Sequence, residues 1–251
     1  MCDKNNLTLI EDSAQAVPND SFSSYWNGDF IILSFGRGKP LNLLGGGAVL
    51  TKPETHYNDN LHALDIKKPS NKKSILYNLK IIIYNILIQP FFYSILFKLP
   101  GLHIGSTIYK PLLEINALHE HTLNKITSNF NHYVNENRSG SIIHKHLSTI
   151  TNDLVIDLAG KYNSVKNLLR YPILIKDPKL QKLVLVKYKD KGLSNMYGKE
   201  LNQIEGTENF LDATEKYPNA KNFANNLITI PIHSDFHEKD IIEIVDFIKK
   251  Y

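Results

Sequence analysis

The feature that most restricts how this chain can fold is the stretch 74–99, which is strongly apolar and carries no charge from residue 81 to 97. Ile81-Ile82-Ile83, Ile86-Leu87-Ile88 and Phe91-Phe92 are broken only by Tyr84, Asn85, Gln89 and Pro90. That much apolar surface has to leave water, into the fold, a subunit interface or lipid. A spanning helix needs about 20 predominantly apolar residues. This run is shorter, and two amides and a proline sit near its middle, where unsatisfied polar groups in lipid are costly. The reading favoured here is a packed or interfacial helical element rather than a span. A helix lying on a membrane surface, flanked by Lys72, Lys73, Lys80 and Lys98, is the alternative, and membrane contact is not the favoured one.

Around this stretch the sequence alternates strand-like and helix-like segments. Residues 7–10 form a short apolar run closed by Glu11 and Asp12, residues 30–35 a second closed by Gly36 and Gly38, and residues 48–51 a third between Gly45-Gly46-Gly47 and Pro53. Residues 52–73 are polar and loop-rich. Residues 112–148 read as helix, since Leu123, Ile126, Phe130 and Tyr133 recur at three- and four-residue intervals. Residues 171–175 and 227–232 read as strands, 178–189 as a helix stopped at Gly192, and 238–251 as an amphipathic helix carrying Ile241, Ile244, Val245 and Ile248. The fold class is therefore α/β, with residues 1–65 part of a larger domain, 66–151 the apolar segment and a connecting helix, and 152–251 a small α/β or α+β domain in which the two strands lie side by side under the last helix.

With 251 residues and 42% hydrophobic content, the chain can bury a sizeable core. Its 29 basic and 25 acidic residues are spread along the sequence, so a nucleic-acid partner is not indicated. The lone Cys2 allows neither a disulfide nor a thiol pair for metal, and no metal site is expected. Residues 1–6 are polar and show no leader, which points to the cytoplasm.

Asp12 and Gln15 follow one strand, Ser34 ends the next, and Lys39 comes five residues later. Ligands of open α/β sheets gather at the carboxyl ends of strands, so these side chains could meet on one small molecule. A pyridoxal 5'-phosphate site needs such a set: a carboxylate to keep the pyridine nitrogen protonated, a lysine of lowered pKa to bond to the aldehyde and move a proton, and hydroxyl and backbone donors for the phosphate. By spacing alone the plainer reading is favoured: Asp12 a strand-end cap, Gln15 a surface helix residue, Ser34 a buried hydroxyl and Lys39 a loop lysine. His233 reads either as a strand-end residue or as one near the substrate. His119 and His121, two apart on a helix, read as surface residues, and Glu11 points to the other side of a strand from Asp12.

The wording of the sequence adds to this. Leu9-Ile10-Glu11-Asp12-Ser13-Ala14-Gln15-Ala16, Gly28-Asp29-Phe30 through Ser34-Phe35, Lys39, and Gly45-Gly46-Gly47-Ala48-Val49 resemble, in order and spacing, the cofactor half of the DegT/DnrJ/StrS aminotransferases. Later stretches, Leu99-Pro100-Gly101, Arg170-Tyr171-Pro172, Met196-Tyr197-Gly198 and residues 227–233, resemble one branch of that family. The resemblance implies a fold-type I enzyme that uses pyridoxal 5'-phosphate to aminate a keto sugar attached to a nucleotide, with an amino acid as donor. It assigns Asp12 to the pyridine nitrogen, Gln15 to the ring, Ser34 to the phosphate and Lys39 to the covalent bond with the cofactor.

Two departures from the family stand out. The loop between serine and lysine is Phe35-Gly36-Arg37-Gly38, where the family usually has a histidine and a small residue; Arg37 either takes an anionic group or faces solvent. Only eleven residues precede Asp12, where the family has the early strands of its large domain. The expectation is an N-terminally truncated or split enzyme, working as a homodimer or with a separate N-terminal half. The alternatives are a non-catalytic relic or partner subunit, and a membrane-peripheral accessory protein of glycan synthesis.

Overall fold

A computed structural model of the chain describes residues 1–18, 26–51, 66–67, 71–87, 89, 92, 109, 111, 115–136, 139–150, 153–162, 168–233 and 236–251. The chain divides into two compact units, Met1–Ile88 with Leu112–Glu136, and Gln89–Pro111 with Asn137–Tyr251.

In the first unit, β1 (Ile10–Asp12) runs parallel to β2 (Phe30–Ser34), and β3 (Gly47–Thr51) returns antiparallel on the other side of β2. The register sets Ile10 beside Phe30 and Asp12 beside Ile32, and pairs Ser34 with Gly47. Ile31, Leu33 and Phe35 are buried while Ile32 is exposed, the alternation of a sheet with one covered face. The first strand begins later than its apolar run: residues 7–9 precede it and Asp12 lies inside it. What ties that preceding stretch down is polar. Asp29 Oδ2 accepts the Leu9 N–H at 2.8 Å, and Glu11 Oε2 accepts the N–H groups of Asn27 and Gly28 at 3.1 and 3.0 Å.

Two helices complete this unit. In α1 (Asn71–Leu87), the Tyr77 hydroxyl donates to Leu43 O at 2.6 Å, and Asn42 Nδ2 donates to the Tyr84 hydroxyl at 3.3 Å. In α2 (Glu120–Asn135), Ile126, Phe130, Tyr133 and Val134 join Val17, Ile31, Leu33, Phe35, Leu41 and Leu43 in one core, and the Tyr133 hydroxyl donates to Val17 O at 2.7 Å. The single helix expected over 112–148 is therefore corrected. Residues 115–119 are not helical, because the Ala117 N–H is spent on Lys67 O at 3.0 Å. A separate α3 (Gly140–Leu147) follows in the second unit, and Leu123 is exposed. Between α2 and α3, Glu136 is extended and Ser139 lies in a turn, next to Asn135 and Gly140, both poor helix formers. Residues 52–65, 68–70 and most of the stretch beyond 87 that was read as apolar lie outside the described residues.

The second unit is an antiparallel sheet of β4 (Val155–Asp157), β5 (Arg170–Ile175) and β6 (Leu227–Pro231), with β5 central. The expected pairing of the last two strands is present, with Tyr171 opposite Ile230 and Ile173 opposite Ile228. Proline is normally kept out of central strands because it offers no ladder N–H. Pro172 is accommodated because β4 pairs only with residues 173–175. Around the sheet lie α4 (Leu158–Lys161), α5 (Pro178–Lys187), α6 (Pro218–Asn226) and α7 (Glu238–Lys249). Alternate residues of β5, Tyr171, Ile173 and Ile175, meet Ile228 and Ile230 of β6 and Ile241, Ile244, Val245 and Ile248 of α7 in one buried cluster. The helix α5 opens on Asp177, whose Oδ1 accepts the N–H groups of Lys179 and Leu180 at 2.7 and 3.2 Å, with Pro178 in the first turn.

A polar knot closes this core. The fully buried Tyr171 donates its hydroxyl to both oxygens of Asp157 at 2.8 and 2.9 Å, and the same carboxylate receives the Gly160 N–H at 2.8 Å and stands 2.7 Å from His144 Nδ1. Burial, then the hydrogen bond to Asp157, raises the Tyr171 pKa. Tyr171→Phe leaves the packing and removes one bond to a charged acceptor, so it should lower the unfolding free energy by about 1.5–3 kcal/mol, read as a shift in urea midpoint. A second test concerns acid. The hydrogen bond from Lys191 Nζ at 2.8 Å holds the Asp240 carboxyl below its ordinary value of 3.8. The unfolded chain then takes up this proton more readily than the folded one, so the stabilisation is present above that value and is lost as pH falls further. Lys191→Met should flatten this part of the stability–pH curve below about pH 4.

Candidate functional site

Because β1 and β2 are parallel, their carboxyl ends open on the same edge of the sheet. Asp12 is in register with Ile32, two residues before Ser34. Strand periodicity then sets Asp12, Ile32 and Ser34 on the face opposite the buried Ile31 and Leu33. Asp12 is exposed and its Oδ1 accepts the Ala14 N–H at 3.0 Å, which starts the turn that carries Gln15. Ser13 holds that turn from below: its buried hydroxyl donates to Ala16 O at 2.7 Å and accepts the Trp26 Nε1–H at 2.9 Å. Gln15 is exposed at the turn's end.

From Ser34 the chain turns through Phe35-Gly36-Arg37-Gly38 to Lys39. Backbone bonds fix the turn: the Lys39 N–H reaches Gly36 O at 3.3 Å, and the Leu43 and Gly45 N–H groups both reach Phe35 O, at 2.9 and 3.0 Å. Ser34 Oγ accepts the Gly36 N–H at 3.4 Å. A Cβ placed on Gly36 would stand 3.5 Å from Ser34 Oγ and 3.8 Å from Lys39 Cγ. The hydroxyl and the lysine stem thus flank one space that the glycine leaves open. Arg37 is exposed within the turn.

This donor set suits pyridoxal 5'-phosphate. A hydroxyl is present for a phosphate, an amine for an aldehyde and a carboxylate for a ring nitrogen, and the Gly36 space lies between the first two. His233 belongs to the second unit, two residues past β6, where it is exposed and edge-on to Phe236 with ring centroids 6.4 Å apart.

Other side chains gather where the sequence did not suggest it. The tyrosines of α1, seven residues apart, are its inward groups. Tyr77 stacks on His119 with ring centroids 6.2 Å apart, and with Leu44, Gly45, Lys80 and Asn116 they line a cavity of about 240 Å³ beside the loop that leads into β3. His119 is therefore half-buried rather than a surface residue, while His121 is exposed. Glu11, read as pointing away from Asp12, does so, and its use there is the turn at Asn27 and Gly28. The signal for these roles was slight: two tyrosines in an aliphatic helix, and an acid at the end of an apolar run, 17 residues before Gly28.

No family model and no curated protein sequence matches the chain. Solved structures do. A DegT/DnrJ/EryC1/StrS aminotransferase from Brucella abortus superposes with a TM-score of 0.59 at 18% identity, over 99% of this chain and 58% of that one. Helicobacter pylori PseC, an aminotransferase involved in pseudoaminic acid biosynthesis, gives 0.55 at 16%, over 99% and 60%. DesI, solved in the presence of its TDP-sugar product, gives 0.57 at 18%, over 99% and 56%. The chain thus spans less than two thirds of the length of each. At such identities the likeness is one of architecture: this mixed α/β chain, with its two three-stranded sheets, has the fold of a part of the DegT/DnrJ/EryC1/StrS aminotransferases.

Proposed function

We propose that this chain carries the lysine-bearing part of the pyridoxal 5'-phosphate site of an aminotransferase that acts on a nucleotide-linked keto sugar, in surface-glycan or secondary-metabolite synthesis. The observation that carries the reading is the meeting of Ser34 Oγ and the Lys39 stem at the space left by Gly36, with Asp12 on the same sheet face. The bound cofactor supplies an electron sink for the carbon that bears the amino group. Lys39 Nζ would hold the cofactor by its aldehyde and would carry a proton to and from the substrate carbon. The Asp12 carboxylate keeps the proton on the ring nitrogen, and Gln15 packs beside the ring. Ser34 Oγ binds the phosphate. Arg37, two residues before Lys39, is the first choice for an anionic group of the substrate, and His233 a weaker one.

The sugar class is supported by the neighbours of like fold, one of them solved with a TDP-sugar product and another involved in pseudoaminic acid biosynthesis. An amino acid is the donor. In this reading the chain works as a homodimer or in complex with a polypeptide that carries the rest of the large domain. That polypeptide would lie against the open face of the first sheet, where Ile10, Ile32 and Val49 are 59, 41 and 53% exposed.

Borohydride reduction after incubation with pyridoxal 5'-phosphate and the complementing polypeptide tests the assignment. Mass spectrometry should place the reduced adduct on the peptide containing Lys39, and Lys39→Ala should carry none; an adduct undiminished in Lys39→Ala would overturn it. Asp12→Asn should keep the adduct while amination falls by more than about a hundredfold. Gly36→Val tests the space itself. Its Cβ meets only ordinary contacts but its methyls project between Ser34 and Lys39, so cofactor affinity should drop by about tenfold or more, roughly 1.4 kcal/mol, with melting little changed.

A further inference from the structure

The apolar stretch that dominates the sequence is only half used by the fold. The inward side of α1 is given to Tyr77 and Tyr84, while Ile75, Leu76, Leu79, Ile82, Ile83 and Ile86 are each 45–72% exposed. With about 100° between successive residues, these six fall within an arc of roughly 120°, one continuous aliphatic stripe along the outer side of the helix. Among the described residues no helix is long and apolar enough to cross a membrane. The stripe is therefore a surface to be laid against something.

Charge indicates what. Residues 66–113 contain seven lysines, Lys67, Lys68, Lys72, Lys73, Lys80, Lys98 and Lys110, and no acidic residue. The chain has 29 basic and 25 acidic residues, so outside this segment 22 basic face 25 acidic, and the whole positive balance of the protein lies in the 48 residues that include the stripe. A two-fold contact between copies would set two such segments face to face, and their like charges would oppose it. An anionic lipid surface attracts the same lysines and takes up the aliphatic stripe at the boundary of its acyl chains.

We propose that α1 docks in the plane of an anionic membrane surface, its aliphatic stripe in the headgroup boundary and lysines of the surrounding segment, Lys72 and Lys73 first, on the lipid phosphates, while Lys80 stays on Leu44 O. The docking is independent of the transamination reading, since none of the stripe residues belongs to the Lys39 group.

Sedimentation of the full chain with vesicles tests it. The protein should sediment with phosphatidylcholine vesicles containing phosphatidylglycerol and little with phosphatidylcholine alone, and binding should weaken as salt is raised. Lys72→Gln with Lys73→Gln should lower the partition by about fivefold per lysine. The triple change Ile75→Ser, Leu79→Ser and Ile82→Ser should reduce it to background, with circular dichroism showing the fold retained. Should that variant lose its fold, the lysine pair alone decides. Equal sedimentation with neutral and anionic vesicles, or none with either, overturns the proposal. So does a stripe variant that turns a dimer into a monomer by light scattering while the unaltered chain ignores lipid, since the stripe would then belong to a second copy.

Discussion

The geometry of the first unit depends on the parallel register between β1 and β2. A hairpin would send the two strand ends to opposite edges, whereas a parallel pair brings both carboxyl ends to one. A slip of one residue would turn Asp12 onto the face of Ile31 and Leu33, an unpaired carboxylate in an apolar core. Burial of Ile31, Leu33 and Phe35 therefore fixes the core and the position of Asp12 together. The return of β3 adds a second constraint. Gly47 lies opposite Ser34, and a Cβ there would come within 2.4 Å of Leu33 O, so only glycine lets the loop after Lys39 pass this close to the end of β2.

Where a segment's own pattern met its tertiary use, the sequence was readable. The strand at 171–175, the periodicity of Ile241, Ile244, Val245 and Ile248, and the helix start at Pro178 all correspond to structure, because each encodes a buried face or a helix start locally. Residues 115–119 were not readable in this way. Leu118 and the downstream apolar residues continue a helical period, but the Ala117 N–H is taken by Lys67, some fifty positions earlier, and no local pattern announces such a partner. The short β4 and α4 were missed for a related reason: three and four residues are too few to show a period, and what holds them is the Asp157 carboxylate. At the candidate site the residue types and their order were legible from the chain, while the space at Gly36 and the turn built on Ser13 and Trp26 needed coordinates.

Several stretches that resemble an aminotransferase branch turn out to be joined in the second unit around a single threonine. Arg170 Nε donates to Thr229 Oγ1 at 2.8 Å and its guanidinium also reaches Thr229 O and Gly192 O. Ser194 exchanges backbone bonds with Thr229 at 2.7 and 3.2 Å, and the turn continues through Met196 and Gly198, both with positive φ. The arginine, the turn before Met196-Tyr197-Gly198 and the β6 strand thus lock one another. A resemblance spread over distant segments can reflect such a lock as well as chemistry, which is why it weighs less for function than the group at Ser34 and Lys39.

Among its described residues the first unit presents two exposed apolar surfaces, and their polar neighbours separate them. On the sheet, Ile10, Ile32 and Val49 share a face with Asp12 and Ser34, groups that bind by hydrogen bonds and by one negative charge. On α1 the aliphatic stripe lies in a stretch of sequence, 66–113, that carries seven lysines and no acidic residue. A cover for the sheet has to satisfy fixed donors and acceptors, which takes a shaped partner or ligand. A cover for the helix needs only an apolar layer beneath negative charge, and that can be met without shape, because Lys side chains reach outward on flexible stems while the stripe settles inward. The same hydrophobic effect acts on both surfaces, and it is the arrangement of the charges that gives them different occupants.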